Sequence, residues 1–163
     1  LEDSLLSSYD TNIKVNPPIR TEKDRLAIIE GIKDGTIDCI VTDHAPHHED
    51  EKKIEFQYAS NGISGLETSF ALSYTYLVKA GHISLAKLVE LMSINPARAL
   101  KLPFEGLKEG CTDITIVDID SPYTIDVAKF LSKGKNSPFN GYEVYGKALY
   151  TIRNEKIINC EVL

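Results

Sequence analysis

A carboxylate and two histidines close an apolar run in Cys39-Ile40-Val41-Thr42-Asp43-His44-Ala45-Pro46-His47. A short apolar run that ends in polar residues reads as a buried parallel strand. In barrel enzymes the residues at the C-terminal ends of such strands face the active site. On that reading Asp43 sits where chemistry is done, and His47 follows on the loop above it. A carboxylate in that place binds a metal ion and takes a proton from a metal-bound water. The same residues also fit an ordinary turn in which Asp43 caps backbone N–H groups. The motif alone does not separate the two readings.

The elements that must position these side chains follow from pattern. Residues 1–12 are polar and read as a connecting segment with a short helix. A short strand over 13–15 runs into Asn16-Pro17-Pro18, where two prolines force an extended turn. Thr21 with Asp24 three residues on opens a helix. Leu26, Ile29 and Ile32 mark its apolar face, and Asp34-Gly35 stops it. A strand over 39–42 completes the strand–helix–strand grammar of a parallel sheet. Residues 47–60 form a long polar loop, and the run Glu49-Asp50-Glu51-Lys52-Lys53 within it reads as solvated surface or as a cover over the site. A glycine-bearing turn, Asn61-Gly62-Ile63-Ser64-Gly65, precedes a helix over 66–80 that ends at Gly81. Ser84 caps another helix, with Leu85, Leu88, Val89 and Met92 on one side, and Pro96 sits in the first turn of a last short one. From Gly106 the chain turns β-rich: a strand over 113–119, a short one over 123–125, and a hairpin of 143–153 with 156–162 about Asn154-Glu155.

Composition narrows the function classes. The chain has 163 residues, 42% hydrophobic and 26% charged, with a formal net charge of −6. A nucleic-acid footprint needs a basic face, and no apolar run is long enough to span a bilayer. The first residues have neither the basic nor the apolar region of a signal peptide. Cys39, Cys111 and Cys160 are widely spaced and odd in number, which reads as three reduced thiols in a cytoplasmic protein. Only two parallel strands precede the terminal helices, and two cannot close a barrel. The organisation reads as the back end of a larger protein.

Read together, Lys14-Val15-Asn16-Pro17-Pro18-Ile19-Arg20, Thr42-Asp43-His44-Ala45-Pro46-His47 and Gly62-Ile63-Ser64-Gly65-Leu66-Glu67-Thr68 resemble the dihydroorotases of the cyclic amidohydrolase superfamily. Asn95-Pro96-Ala97-Arg98, Gly110-Cys111-Thr112-Asp113-Ile114 and Ser132-Lys133-Gly134-Lys135-Asn136-Ser137-Pro138-Phe139 extend the resemblance over nearly the whole chain. It implies an α/β fold: a metal-dependent (β/α)8 barrel with a small β-sandwich. Residues 1–105 would be the last strands and helices of the barrel, and residues 106–163 a β-rich sandwich segment. The implied reaction is the reversible cyclisation of N-carbamoyl-L-aspartate to L-dihydroorotate in pyrimidine biosynthesis.

The resemblance also implies roles. Asp43 would bind zinc and shuttle the proton. Asn16 would hydrogen-bond the substrate, His47 would contact its carboxylate, and Asn61 and Gly62 would touch it through backbone groups. Many relatives carry an aromatic residue where Asn61 stands. The family's other metal ligands, a His-x-His pair, a bridging carboxylate and two later histidines, have no counterpart in this chain. Asp43 alone cannot hold zinc, so the segment by itself is expected to be inactive and to bind metal poorly. Implied partners are a small-molecule substrate, the N-terminal half of the barrel, and a second copy or aspartate transcarbamoylase, with no nucleic acid or membrane. Two other readings stand beside this one: another cyclic amidohydrolase (a hydantoinase or allantoinase), and a non-catalytic dihydroorotase-like scaffold. Among the remaining residues, Arg20 reads as a salt-bridge or surface group, His44 as a packing residue or one that supports Asp43, and His48 and His82 as exposed. Glu67 reads as complementing a helix dipole, and Tyr142, Tyr145 and Tyr150 as packing residues.

Overall fold

The structure, a computed structural model, describes residues 1–103, 106–111 and 113–160. The chain is mixed α/β and divides into two compact units that interleave along the sequence. The first comprises Leu1–Ile37, Val41–Ser69 and Thr124–Tyr142, and the second Asp38–Ile40, Phe70–Tyr123 and Glu143–Leu163.

The first unit opens with 3₁₀ turns at Asp3–Ser8 and Thr11–Ile13, followed by helix α1, Glu22–Asp34. Helix α1 starts where the sequence says it should. The Thr21 hydroxyl accepts from the Asp24 N–H, the Asp24 carboxylate accepts from the Thr21 N–H, and Gly35 ends the helix at φ 86°. That reciprocal cap satisfies two of the free amides of a first turn. Ile29 and Ile32 are buried, but Leu26 is 47% exposed, so only the C-terminal part of the expected stripe is covered. Helix α2 is a single turn, Glu49–Lys52. The core of the unit gathers Ile13, Ile29, Ile32, Ala59 and Ile125 with the polar Lys52, Ser64, Thr68, Asn136 and Ser137.

Neither of the two predicted parallel strands is present. Residues 11–13 form a 3₁₀ turn in which the Asp10 carboxylate accepts from the Asn12 N–H. Residues 39–42 are irregular, and Val41, expected to be buried, is 77% exposed. The reason is physical: a strand exists through its ladder, and among the described residues nothing pairs with either segment as a strand. The Ile40 N–H instead donates to the Leu91 carbonyl at 3.0 Å.

The second unit holds the later helices and a sheet. Helix α3, Ser69–Ser73, continues as a π-helical stretch, Tyr74–Lys79, and Gly81 follows at φ 78°. The helix thus begins three residues later than the sequence suggests. Ser84 caps α4, Leu85–Val89, which passes through a π-helical Glu90–Ile94 into α5, Asn95–Ala99. Leu88 and Leu91 are the fully buried residues here, while Leu85 and Val89 lie partly exposed. Strands β1 (Asp113–Asp118), β4 (Lys147–Arg153) and β5 (Lys156–Asn159) form an antiparallel sheet in the order β1-β4-β5. Two-residue strands β2 (Tyr123–Thr124) and β3 (Glu143–Val144) lie between them in sequence. The β4–β5 turn has Asn154 and Glu155 at φ 49° and 65°, the positive pair that a tight two-residue hairpin requires. The far end of the predicted hairpin strand, residues 161 and 162, lies outside the described residues. All three cysteines are unpaired.

Candidate functional site

Asp43 follows the apolar run and is exposed, with its backbone in the left-handed region at φ 43°. Aspartate is one of the few non-glycine residues that adopt this conformation at modest cost. The His44 ring accepts the Leu66 N–H at its Nδ1, 3.2 Å away.

His47 is the centre of the polar contacts. Its Nε2 lies 2.8 Å from the Asn61 carbonyl oxygen and its Nδ1 3.2 Å from a Glu51 carboxylate oxygen. Both partners are acceptors, so a neutral ring donates to one of them and a protonated ring to both. Glu51 also accepts the His48 N–H. That bond, and then the His47 ring, hold its carboxyl below the usual value. Gly62 sits against the same ring. Its φ is +139°, and a Cβ there would meet the Ala45 Cβ at 2.5 Å and His47 Nε2 at 3.0 Å. Only glycine permits this approach.

Two residues read otherwise from the sequence hold this cluster in place. Lys52, expected on a solvated face, is 5% exposed. Its ammonium donates to the Ser60 carbonyl at 2.8 Å and the Gly62 carbonyl at 3.2 Å. Burial, and then the nearby Lys14 charge, lower its pKa. Asn136 is likewise 5% exposed. Its Nδ2 donates to the carbonyls of Ala45 and Gly62, both at 3.0 Å, and its Oδ1 accepts the His47 N–H at 2.9 Å. Nothing in a charge run marks one lysine for burial. Asn136 stood inside a motif that carried the resemblance, but its partners lie up to 91 residues away.

The structure therefore brings His47, Asn61 and Gly62 together. Asn16 is exposed and lines a cavity of about 320 Å³ that Asn61 also lines. A larger cavity, about 770 Å³, is lined by His47, Lys52 and Asn136 among others. Asp43 lines neither of the two.

Other expectations are corrected or met as follows. The Glu67 carboxylate, two residues before α3, accepts the N–H groups of Leu131 and Ser132 at 2.8 and 3.0 Å. His82 is only half-exposed. His48 is exposed, and it also caps α2 by accepting the Asp50 N–H. Arg20 forms an exposed pair with Asp24 at 3.3 Å. Tyr142 packs edge-on against Phe139, and Tyr145 lies beneath the Lys79 ammonium.

A metal site needs three or four protein ligands. Among the described residues no group of three or more histidine, cysteine, aspartate or glutamate side chains is placed to hold a metal ion.

Residues 9–158 match the model of the Amidohydrolase family. The chain belongs to the amidohydrolase family. This amidohydrolase chain is 50% identical over 159 residues to a protein of Acetivibrio thermocellus named dihydroorotase, covering 97% of the chain and 37% of that protein. It is 53% identical over 153 residues to one of the same name from Ruminiclostridium cellulolyticum, covering 93% of the chain and 36% of that protein. Among solved structures, an L-hydantoinase (dihydropyrimidinase) from Arthrobacter aurescens superposes with a TM-score of 0.89 at 31% identity, covering 98% of this chain and 37% of that one. The amidohydrolase chain thus spans little more than a third of the length of the curated relatives it matches. Among the described residues no helix is long and apolar enough to cross a membrane.

Proposed function

We propose that these 163 residues act as the C-terminal part of a dihydroorotase. Such an enzyme interconverts N-carbamoyl-L-aspartate and L-dihydroorotate, with loss or gain of one water. Residues 1–105 would belong to a zinc-dependent (β/α)8 barrel and residues 106–163 to a small β-sandwich. The observation that carries the reading is the His47–Asn61–Gly62 cluster just beyond Asp43, in a chain about half identical to proteins named dihydroorotase. The 77% exposure of Val41 supports it, because an apolar run next to a site is normally covered by neighbouring strands.

The chemistry assigned to this chain is proton transfer and anchoring. In ring opening, the Asp43 carboxylate accepts a proton from the attacking water. A C–O bond forms at the ring carbonyl, the ring C–N bond breaks, and Asp43 returns the proton to the departing nitrogen. The substrate is a dianion after opening, so its carboxylates need donors. The Asn16 amide supplies one, the His47 ring supplies another by giving up its bond to Asn61 or Glu51, and the backbone of Asn61 and Gly62 completes the contacts. In the whole protein zinc would supply a Lewis acid, with Asp43 as one of several ligands.

Hydantoin opening is the second reading, favoured by the TM-score of 0.89 to the L-hydantoinase. The deciding assay uses the longest natural chain containing these residues, supplied with zinc and offered dihydroorotate and hydantoin separately. Dihydroorotate turnover that falls at least about a hundredfold in Asp43→Asn, in line with the loss of a general acid–base group, supports the proposal. Turnover of hydantoin alone overturns it.

A further inference from the structure

The Asn136 side chain uses both of its donor hydrogens and accepts at its oxygen. Nδ2 has two hydrogens, and they go to the carbonyls of Ala45 and Gly62, each 3.0 Å away. Oδ1 accepts the His47 N–H at 2.9 Å and lies 3.1 Å from the Ser64 hydroxyl oxygen, whose single proton also faces the Gly134 carbonyl at 2.7 Å. The orientation is forced: turning the amide over would aim two acceptors at each other and two donors at each other. An aspartate would do half of that, setting a carboxylate oxygen against two carbonyls. The backbone of Asn136 takes part as well, since its carbonyl accepts the Ser64 N–H at 2.8 Å. Gly134 brings this segment into position. A Cβ there would meet the His47 nitrogen and the Pro46 Cβ at 2.7 Å, so the chain passes too close to the 46–47 backbone for any other residue.

We propose that Asn136 is a positioning residue for the substrate contacts. One buried carboxamide holds the backbones of Ala45, His47 and Gly62 together. It thereby sets the distance between the His47 ring and the Asn61–Gly62 backbone. This rests on the reading that His47, Asn61 and Gly62 touch the substrate; the tie itself stands on the geometry. Asn136 acts through His47 and Gly62 and does not meet the reacting atoms.

The test uses the longest natural chain containing these residues and four variants: Asn136→Ala, Asn136→Asp, His47→Ala, and the double Asn136→Ala/His47→Ala. Two quantities are read: kcat and KM for dihydroorotate, and hydrogen exchange at the His47 amide. Asn136→Ala is expected to raise KM about tenfold, the size of one lost hydrogen bond, and to speed His47 amide exchange about as much. In the double variant the rise in KM should be smaller than the product of the two single effects, because groups that act through one another are not additive. Multiplying KM effects, or an unchanged His47 amide, overturn the proposal. Should Asn136→Ala not fold, Asn136→Asp keeps the volume and the acceptor facing the His47 N–H. It should retain His47 protection while raising KM, and an unchanged KM overturns the claim. If the unsubstituted protein opens no dihydroorotate, the substrate reading fails, and exchange decides the positioning claim: lost His47 protection in Asn136→Ala keeps it, unchanged protection removes it.

Discussion

A lysine side chain buried to 5% exposure is uncommon, and Lys52 is tolerated because its ammonium donates to the carbonyls of Ser60 and Gly62. Its own carbonyl accepts from the Thr11 hydroxyl at 2.5 Å, which ties the α2 turn back to the start of the unit. Lys52→Met preserves the apolar stem and removes the donors. Gly62 would keep its bond from Asn136, and the Ser60 carbonyl would lose the lysine. The expected cost is about 1–3 kcal/mol of stability, the penalty for a buried polar group left without its partner, read as a lower urea midpoint at unchanged slope. A variant as stable as the parent would show that the two carbonyls find other donors. Lys52 also marks a limit of sequence reading: within Glu49-Asp50-Glu51-Lys52-Lys53 it is indistinguishable from neighbours that are solvated.

At the scale of elements, α1 and α2 begin with the same device in different chemistry. Thr21 and Asp24 cap α1, while His48 and Glu51 cap α2. Both caps use a carboxylate held below its ordinary value, and the second gives a local test. Glu51 is held below its ordinary value of 4.5, first by the His48 N–H and then by the His47 ring. A carboxyl with a lowered folded pKa contributes stability that is present above the unfolded value and lost as pH falls through the folded one. The turn over residues 47–52 should therefore loosen as pH drops below 4.5. Amide exchange at His48 should accelerate there, and Glu51→Gln should remove that pH dependence. If His48 exchange in the unsubstituted protein shows no acid step beyond the intrinsic one, the cap does not hold the turn.

For the molecule as a whole, exposed apolar residues stand beside potential ligands that, among the described residues, do not converge. Val41 is 77% exposed and Leu66 60% exposed in the unit that carries the site. Among the described residues no three potential ligands converge. The 163-residue chain prepared alone should bind zinc well below one equivalent in equilibrium dialysis, since tight sites need three or four ligands. One tightly bound zinc per chain would sink that expectation and show that the ligands come from within these residues.

Local chemistry made part of this protein readable from its sequence alone. The Thr21 cap and Gly35 stop of α1, the Asn154-Glu155 hairpin turn, the Ser84 cap of α4 and the motif around Asp43 all depend on residues within a few positions of one another. Backbone propensity and side-chain capping act over that range. The strands expected at 13–15 and 39–42 were not readable in the same way, because a ladder needs a neighbour that no local pattern supplies. Only the tertiary structure decided that Asn136 meets His47 from 89 residues away and that Lys52 turns inward. It likewise decided that the Glu67 carboxylate accepts from the backbone of Leu131 and Ser132. Each of these is a polar group whose burial is tolerable only once distant backbone atoms have come within hydrogen-bonding reach, and that condition is set by the folded chain.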